Sequence, residues 1–214
     1  MMFLSRAQID PNRREARRLL ASPQALHAVV LGAFPDGLSK QSRILWRVDS
    51  DRRGTFLYVV SEIEPDFSDF VRQASSVSGI DGWSCRDYGP FLSRLTEGER
   101  WAFRLTANPS FSDPSRGGKR FANVTVTQQQ EWLLRRAEGY GFTVYRKDDV
   151  LDLVVRDRRT DTFRREGKLV TIAKATFDGS LQVVDAESLR NTLVNGIGHA
   201  KAYGCGLLTL AALE

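Results

Sequence analysis

Two histidines, His27 and His199, and a run of glycines and cations near the C-terminus are the residues of this chain best suited to chemistry. In GIGHAKAYGCGLLTL, Gly196 to Leu210, four glycines fall within eleven residues: Gly196, Gly198, Gly204 and Gly206, interleaved with His199, Lys201 and Tyr203. With no Cβ in the way, such a backbone can approach a bulky anion and offer N–H donors beside one cation, which suits a phosphate, free or in a polymer. The competing explanation is that the glycines only permit tight packing of a helix-to-strand turn. A dinucleotide fingerprint needs a strand before the glycines and a helix after them. Here the helical pattern precedes and the strand pattern follows, and no Walker phosphate loop is present.

The second candidate is a basic segment. From Arg156 to Lys174 seven basic residues (Arg156, Arg158, Arg159, Arg164, Arg165, Lys168, Lys174) face three acidic ones (Asp157, Asp161, Glu166). Strand-like residues on both sides of RRTDTFRREG give it the form of a hairpin arm, able to enter a nucleic-acid groove or track its phosphates. The same residues also make a solvated edge that resists aggregation. Phe163 adds an aromatic that can pack beneath the arm or touch nucleic acid. For proton transfer the candidates are few: the two histidines come first, with Lys201 and a basic residue near the hairpin open, beside His199, as the second acid or base. An imidazole titrates near neutrality and can take a proton from a ribose 2′-hydroxyl or give one to a leaving 5′-oxygen, steps worth roughly 10²- to 10⁴-fold in rate. A lone helical histidine is more often structural. No carboxylate, cysteine or histidine cluster has metal-ligand spacing, so no metal and no cofactor are expected.

These groups are positioned by elements readable from period and punctuation. FLSRAQI alternates as a strand, and Ser22-Pro23 has the form of an N-cap followed by proline at the first helical position. A helix from Pro23 to about Ala33 follows, burying Leu26, Val29, Val30 and Ala33, with Phe34-Pro35 and Gly37 closing it; His27 sits at the edge of its buried face. RILWRVD and TFLYVVSEI flank the turn SDRRG as a hairpin, DFSDFVRQA is a short amphipathic piece, and a fourth strand lies within Trp83 to Leu92. After TEGE the order recurs. RWAFRLTANP is a strand, SFSDPSRGGKR a polar loop, and FANVTVT a strand leading through a Thr127/Gln130 capping box into a helix stopped at Gly139 and Gly141. DVLDLVVRD and KLVTIAKATFDGSLQVV are strands with a turn at Asp178-Gly179, Asp185 caps the helix AESLRNTLVNG, and CGLLTLAAL is the last strand. The fold class expected is α+β, two tandem ferredoxin-like (RRM-like, βαββαβ) domains, 1–95 and 96–214.

Composition bounds the function classes. The 214 residues are 42% hydrophobic and 27% charged, which excludes general disorder, and no apolar run approaches the roughly 20 residues of a membrane helix. The opening MMFLSRAQIDPNRR has no signal-peptide pattern, so the expected location is the cytoplasm, with no membrane partner. Cys85 and Cys205 read as structural thiols. A net charge of +5 favours an anionic partner, and much of the excess sits in the basic segment.

The ending GIGHAKAYGCGLLTLAAL, the central FRLTANP, the opening MFLSRAQID and the helix ALHAVVLGAFP together resemble the CasE family, CRISPR-associated endoribonucleases of type I-E systems. The resemblance spans the chain in order. It implies metal-independent cleavage of precursor CRISPR RNA at the base of the repeat stem-loop by 2′-hydroxyl attack, leaving a cyclic phosphate, with the product retained and the protein a Cascade subunit. It implies that His27 is the catalytic histidine of the domain formed by 1–95. Gly196, Gly198, Lys201, Gly204 and Gly206 match the family's glycine-rich motif, and Arg104 the basic position of its R-L-x-A-N-P stretch. Arg158, Arg159, Arg164, Arg165 and Lys168 resemble the arm that grips the RNA stem. His199 departs from the family pattern and is a candidate RNA contact, and Gln24 stands where some members carry an aromatic. The partners implied are repeat RNA and the other Cascade subunits. The rival expectation is a non-catalytic subunit that binds the RNA hairpin for assembly.

Overall fold

The alternating FLSRAQI forms β1 (Phe3–Ile9), and the basic run after Pro11 folds as a helix, α1 (Arg14–Leu20), which buries Ala16 and Leu19. Then come α2 (Pro23–Gly32), the hairpin β2 (Leu45–Asp51) and β3 (Gly54–Ser61), α3 (Ser68–Ala74), β4 (Trp83–Asp87) and a short α4 (Gly89–Ser93). This is a computed structural model and it describes residues 1–35, 43–77, 82–165 and 167–213; Gly37 therefore lies outside the described residues. The four strands form one antiparallel sheet in the order β2-β3-β1-β4. Period-2 alternation sends Ala7, Ile9, Trp46, Leu57 and Val59 to one core, with Leu26 and Val30 of α2 and Phe67, Phe70 and Val71 at α3.

The chain divides into two units, Met1–Ser93 with Lys201–Gly204, and Arg94–Ala200 with Cys205–Glu214. The second contains β5 (Arg100–Ala107), β6 (Ser110–Asp113), β7 (Lys119–Ala122), α5 (Val126–Ala137), β8 (Phe142–Val144), β9 (Arg146–Lys147), β10 (Val150–Leu151), β11 (Leu153–Arg165), β12 (Lys168–Val183), α6 (Ala186–Asn195) and β13 (Leu208–Ala211). Its main sheet runs β11-β12-β5-β13, with β8 also paired to β12, again antiparallel. Phe103, Leu105, Phe142, Phe177, Leu189 and Leu193 are buried in it.

Three local expectations are corrected. Helix α5 is capped two residues early: Thr125 accepts from Gln128 N at 3.2 Å and the Gln128 side chain returns to Thr125 N at 3.2 Å. Thr125 is extended (φ −94, ψ 155), so it closes the approach to the helix rather than continuing a strand. The polar SFSDPSRGGKR is mostly hairpin, β6 paired to β7 around a turn whose Gly117 lies at φ +65. Asp178-Gly179 is no turn, because β12 runs straight through it. A Cβ on Gly179 would stand 2.1 Å from the Asp152 carbonyl oxygen, so the glycine serves close strand approach rather than reversal. The Asp185 cap holds as expected, accepting from Ser188 N at 3.0 Å.

Candidate functional site

Helix α2 starts where Ser22 Oγ accepts from Ala25 N at 3.2 Å, with Pro23 in its first turn. Leu26 and Val30 fix its inward face, which leaves His27 half-buried at the margin. The His27 Nδ1 is sealed from solvent.

The turn Lys201–Tyr203 packs against α2 and β2 in the same unit. It brings the buried Tyr203 ring to 6.3 Å from the His27 ring, tilted by 57°. Two backbone features flank this turn. Gly204 has φ +78, and a Cβ there would lie 2.7 Å from the indole of Trp46, so only glycine lets the backbone settle on that buried ring. Ala200, just before the turn, also has a positive φ, +60. Lys201 is half-buried, and its pKa is lowered by that burial and by the charge of Arg43. A cation held in this way gains from an incoming anion.

Gly196, Gly198, His199 and Gly206 belong to the second unit. The expectation of bare N–H donors is corrected at three of the four glycines. Gly196 N donates to Thr192 O at 2.8 Å, Gly206 N to Thr106 O at 2.7 Å, and Gly204 N to Lys201 O at 3.3 Å. Gly196 ends α6 and Gly204 closes the Lys201–Tyr203 turn, while Gly198 (φ +74) rests on Trp132, whose ring lies 3.1 Å from where its Cβ would be. His199 is exposed.

The basic segment is the paired arm β11–β12, with a bulge between Arg156 and Arg159 where Asp157 takes φ +48. Such a bulge shifts which face later side chains occupy. Arg158 within the bulge and Arg159, Arg164, Arg165 and Lys168 beyond it are all exposed. Arg158 donates to the Val124 carbonyl, and Arg159 lies 3.3 Å from Asp161. Asp161 also holds the buried Lys174 at 2.7 Å, an ion pair that ties the base of the arm. Arg104 grips Asp178 with two bonds, 2.7 and 3.2 Å, and Arg156 meets the same carboxylate at 2.5 Å. Burial pushes Asp178 up, but hydrogen bonds from Arg104 and Arg156 outweigh it and hold its pKa below the ordinary value. The carboxylate thus holds both guanidinium groups in place.

The approaches of Tyr203 to His27, of Arg43 to Lys201 and of Trp46 to Gly204 are contacts that sequence reasoning passed over. The only signal for Tyr203 was its place inside the glycine run. Among the described residues no group of three or more His, Cys, Asp or Glu is placed to hold a metal ion, and no helix is long and apolar enough to cross a membrane.

A family model described as CRISPR associated protein matches residues 2–212. CRISPR-associated endoribonuclease Cse3 of Thermus thermophilus is 32% identical over 227 residues, covering 98% of this chain and 100% of the relative. CRISPR system Cascade subunit CasE of Escherichia coli is 34% identical over 121 residues, 52% of this chain and 57% of the relative. A solved structure of CRISPR endoribonuclease Cse3 bound to 19 nt RNA matches with a TM-score of 0.82 at 31% identity, covering 98% of this chain and 99% of that one.

Proposed function

The chain belongs to the CasE/Cse3 family of CRISPR-associated proteins, and from that footing we propose that it is an endoribonuclease that cleaves precursor CRISPR RNA at the base of the repeat stem-loop. The observation that carries the proposal is the junction of His27 with the Lys201–Tyr203 turn inside one unit. In the chemistry proposed, His27 Nε2 takes the proton of a ribose 2′-hydroxyl. The oxygen attacks the adjacent phosphorus in line, the bond to the 5′-oxygen breaks, and a cyclic phosphate and a 5′-hydroxyl result. Lys201 faces the phosphate, and its lowered pKa suits it to stabilise the developing charge or to protonate the leaving oxygen. Such a step requires no metal.

Arg158, Arg159, Arg164, Arg165 and Lys168 of the arm, with His199, then hold the stem by its backbone and shape. Arg104, locked to Asp178, supports the arm from the sheet. The strand orders β2-β3-β1-β4 in one unit and, β8 aside, β11-β12-β5-β13 in the other, with helices between, support tandem ferredoxin-like domains, the first carrying His27 with the Lys201–Gly204 turn and the second carrying the arm. The name of the Escherichia coli relative, a Cascade subunit, supports assembly into such a complex; retention of the product there and a cytoplasmic location complete the reading.

The test is cleavage of repeat RNA in EDTA by wild type and His27→Ala, beside RNA carrying a single 2′-deoxy sugar at the scissile position. Cleavage by wild type alone, of all-ribose RNA alone, is the expected result. Tight binding without cleavage by wild type would replace the enzyme with an assembly subunit, and loss of cleavage in EDTA would sink the metal-free step.

A further inference from the structure

The β6–β7 hairpin is a feature that stem gripping and proton transfer leave unexplained. Register places Phe111 opposite Phe121 and Asp113 opposite Lys119, so these four side chains share one face of the hairpin. The two rings lie 5.9 Å apart, and Phe111 is 47% exposed. Hydrophobic burial was forgone at Phe111, beside a basic tip. From that face Phe111 lines a groove, with Asn123 just after the hairpin, whose other wall is α5, through Gln128, Glu131, Arg135 and Arg136 at helical spacing, with Trp132 beneath. Arg136 is fixed over Trp132, 5.0 Å from its ring, and bonded to the Trp132 carbonyl at 2.9 Å. Arg135 reaches outward, 71% exposed, tethered to the exposed Glu131. From Ser110 to Arg136 five basic residues oppose two acidic ones.

An aromatic ledge facing a cationic wall fits a polyanion whose rings are available to stack, and nucleic-acid bases are available only when unpaired. We propose that the groove between the β6–β7 hairpin and α5 seats a single-stranded RNA segment flanking the stem-loop, with a base on Phe111 and phosphates beside Lys119 and Arg135. The proposal rests on the RNA-processing assignment above and extends it from the stem to its flank. Phe111 and Arg135 are both exposed, so their truncation should leave the fold intact.

The experiment measures affinity by fluorescence anisotropy at fixed salt, in a His27→Ala background so that the RNA stays whole. The probes are the repeat stem-loop, the stem-loop extended by eight uridines at its 5′ or its 3′ end, and the uridine octamer alone. One extension is expected to tighten binding at least tenfold. Phe111→Ala should remove most of that gain, as loss of one stacked base does, without changing affinity for the bare stem-loop. Arg135→Ala should reduce the salt slope for the extended RNA by about one. The proposal is overturned if neither extension tightens binding, as a groove built for a protein partner would give, or if Phe111→Ala weakens bare and extended stem-loops equally. If the stem-loop fails to bind while the octamer binds through Phe111, the groove stands and the stem-loop assignment falls.

Discussion

Replacing Gly204 by alanine separates the role of the glycine stretch as a packing device from any role as a donor of amides. The added methyl would sit 2.7 Å from one carbon of the Trp46 indole and 3.1 Å from two others, where ordinary contact begins at 3.4 Å. Trp46 is 3% exposed and lies within the core, so it cannot swing away. Overpacking of this kind costs about 1–3 kcal/mol, and an alanine at φ +78 adds about 1–2 kcal/mol of backbone strain. The sum, about 2–5 kcal/mol, is below the ~5–15 kcal/mol stability of a typical domain, so the variant should fold. Gly98→Ala is the control: φ is +84 and nothing lies within 4 Å, so only the backbone cost applies. Because Gly204 directly follows Tyr203, the strain falls on the turn that faces His27. A displacement of about 1 Å in such a turn costs on the order of 10²-fold in rate. Thermal unfolding, RNA affinity and single-turnover cleavage of repeat RNA check both halves. If Gly204→Ala matches Gly98→Ala in stability and wild type in rate, the close approach to Trp46 does not set the site.

Two further outcomes follow from the ionisable groups. Asp178 has a folded pKa below its unfolded one, so its stabilising contribution is fully present above the unfolded value of about 4 and is lost as pH falls through the lower folded value. Asp178→Asn, which leaves Arg104 and Arg156 without their shared carboxylate, should therefore lower stability by about 1–3 kcal/mol near pH 7, and the gap should close in acid; urea unfolding at stepped pH reads it, and a gap independent of pH would refute the ion-pair account. Burial pushes the Cys205 thiol up to about 11, so in a Cys85→Ser background it should resist alkylation at pH 8 until the protein unfolds, and rapid labelling of the native protein would refute its burial.

Much of the architecture was legible because it is written in short-range patterns. Period-2 alternation marks β1, β3 and β5, and Ser22-Pro23 and Asp185 announce α2 and α6 by satisfying amides within one turn. The glycine stretch and the basic arm were visible as compositions, as was the edge position of His27. What failed locally failed where two patterns competed: Thr125 reads equally as strand or cap, and Asp178-Gly179 as turn or strand, until the Asp152 carbonyl decides that no side chain fits. Only tertiary structure decided what the glycines are for. Whether their amides are open or already bonded depends on Thr106, Thr192 and Lys201, and that Gly204 must lack a side chain depends on Trp46, on a strand far away in sequence. The same holds for the meeting of His27 with Tyr203 from opposite ends of the chain. Local spacing encodes which face a residue takes on its own element; which residue it meets there is set by core packing, to which the whole unit contributes.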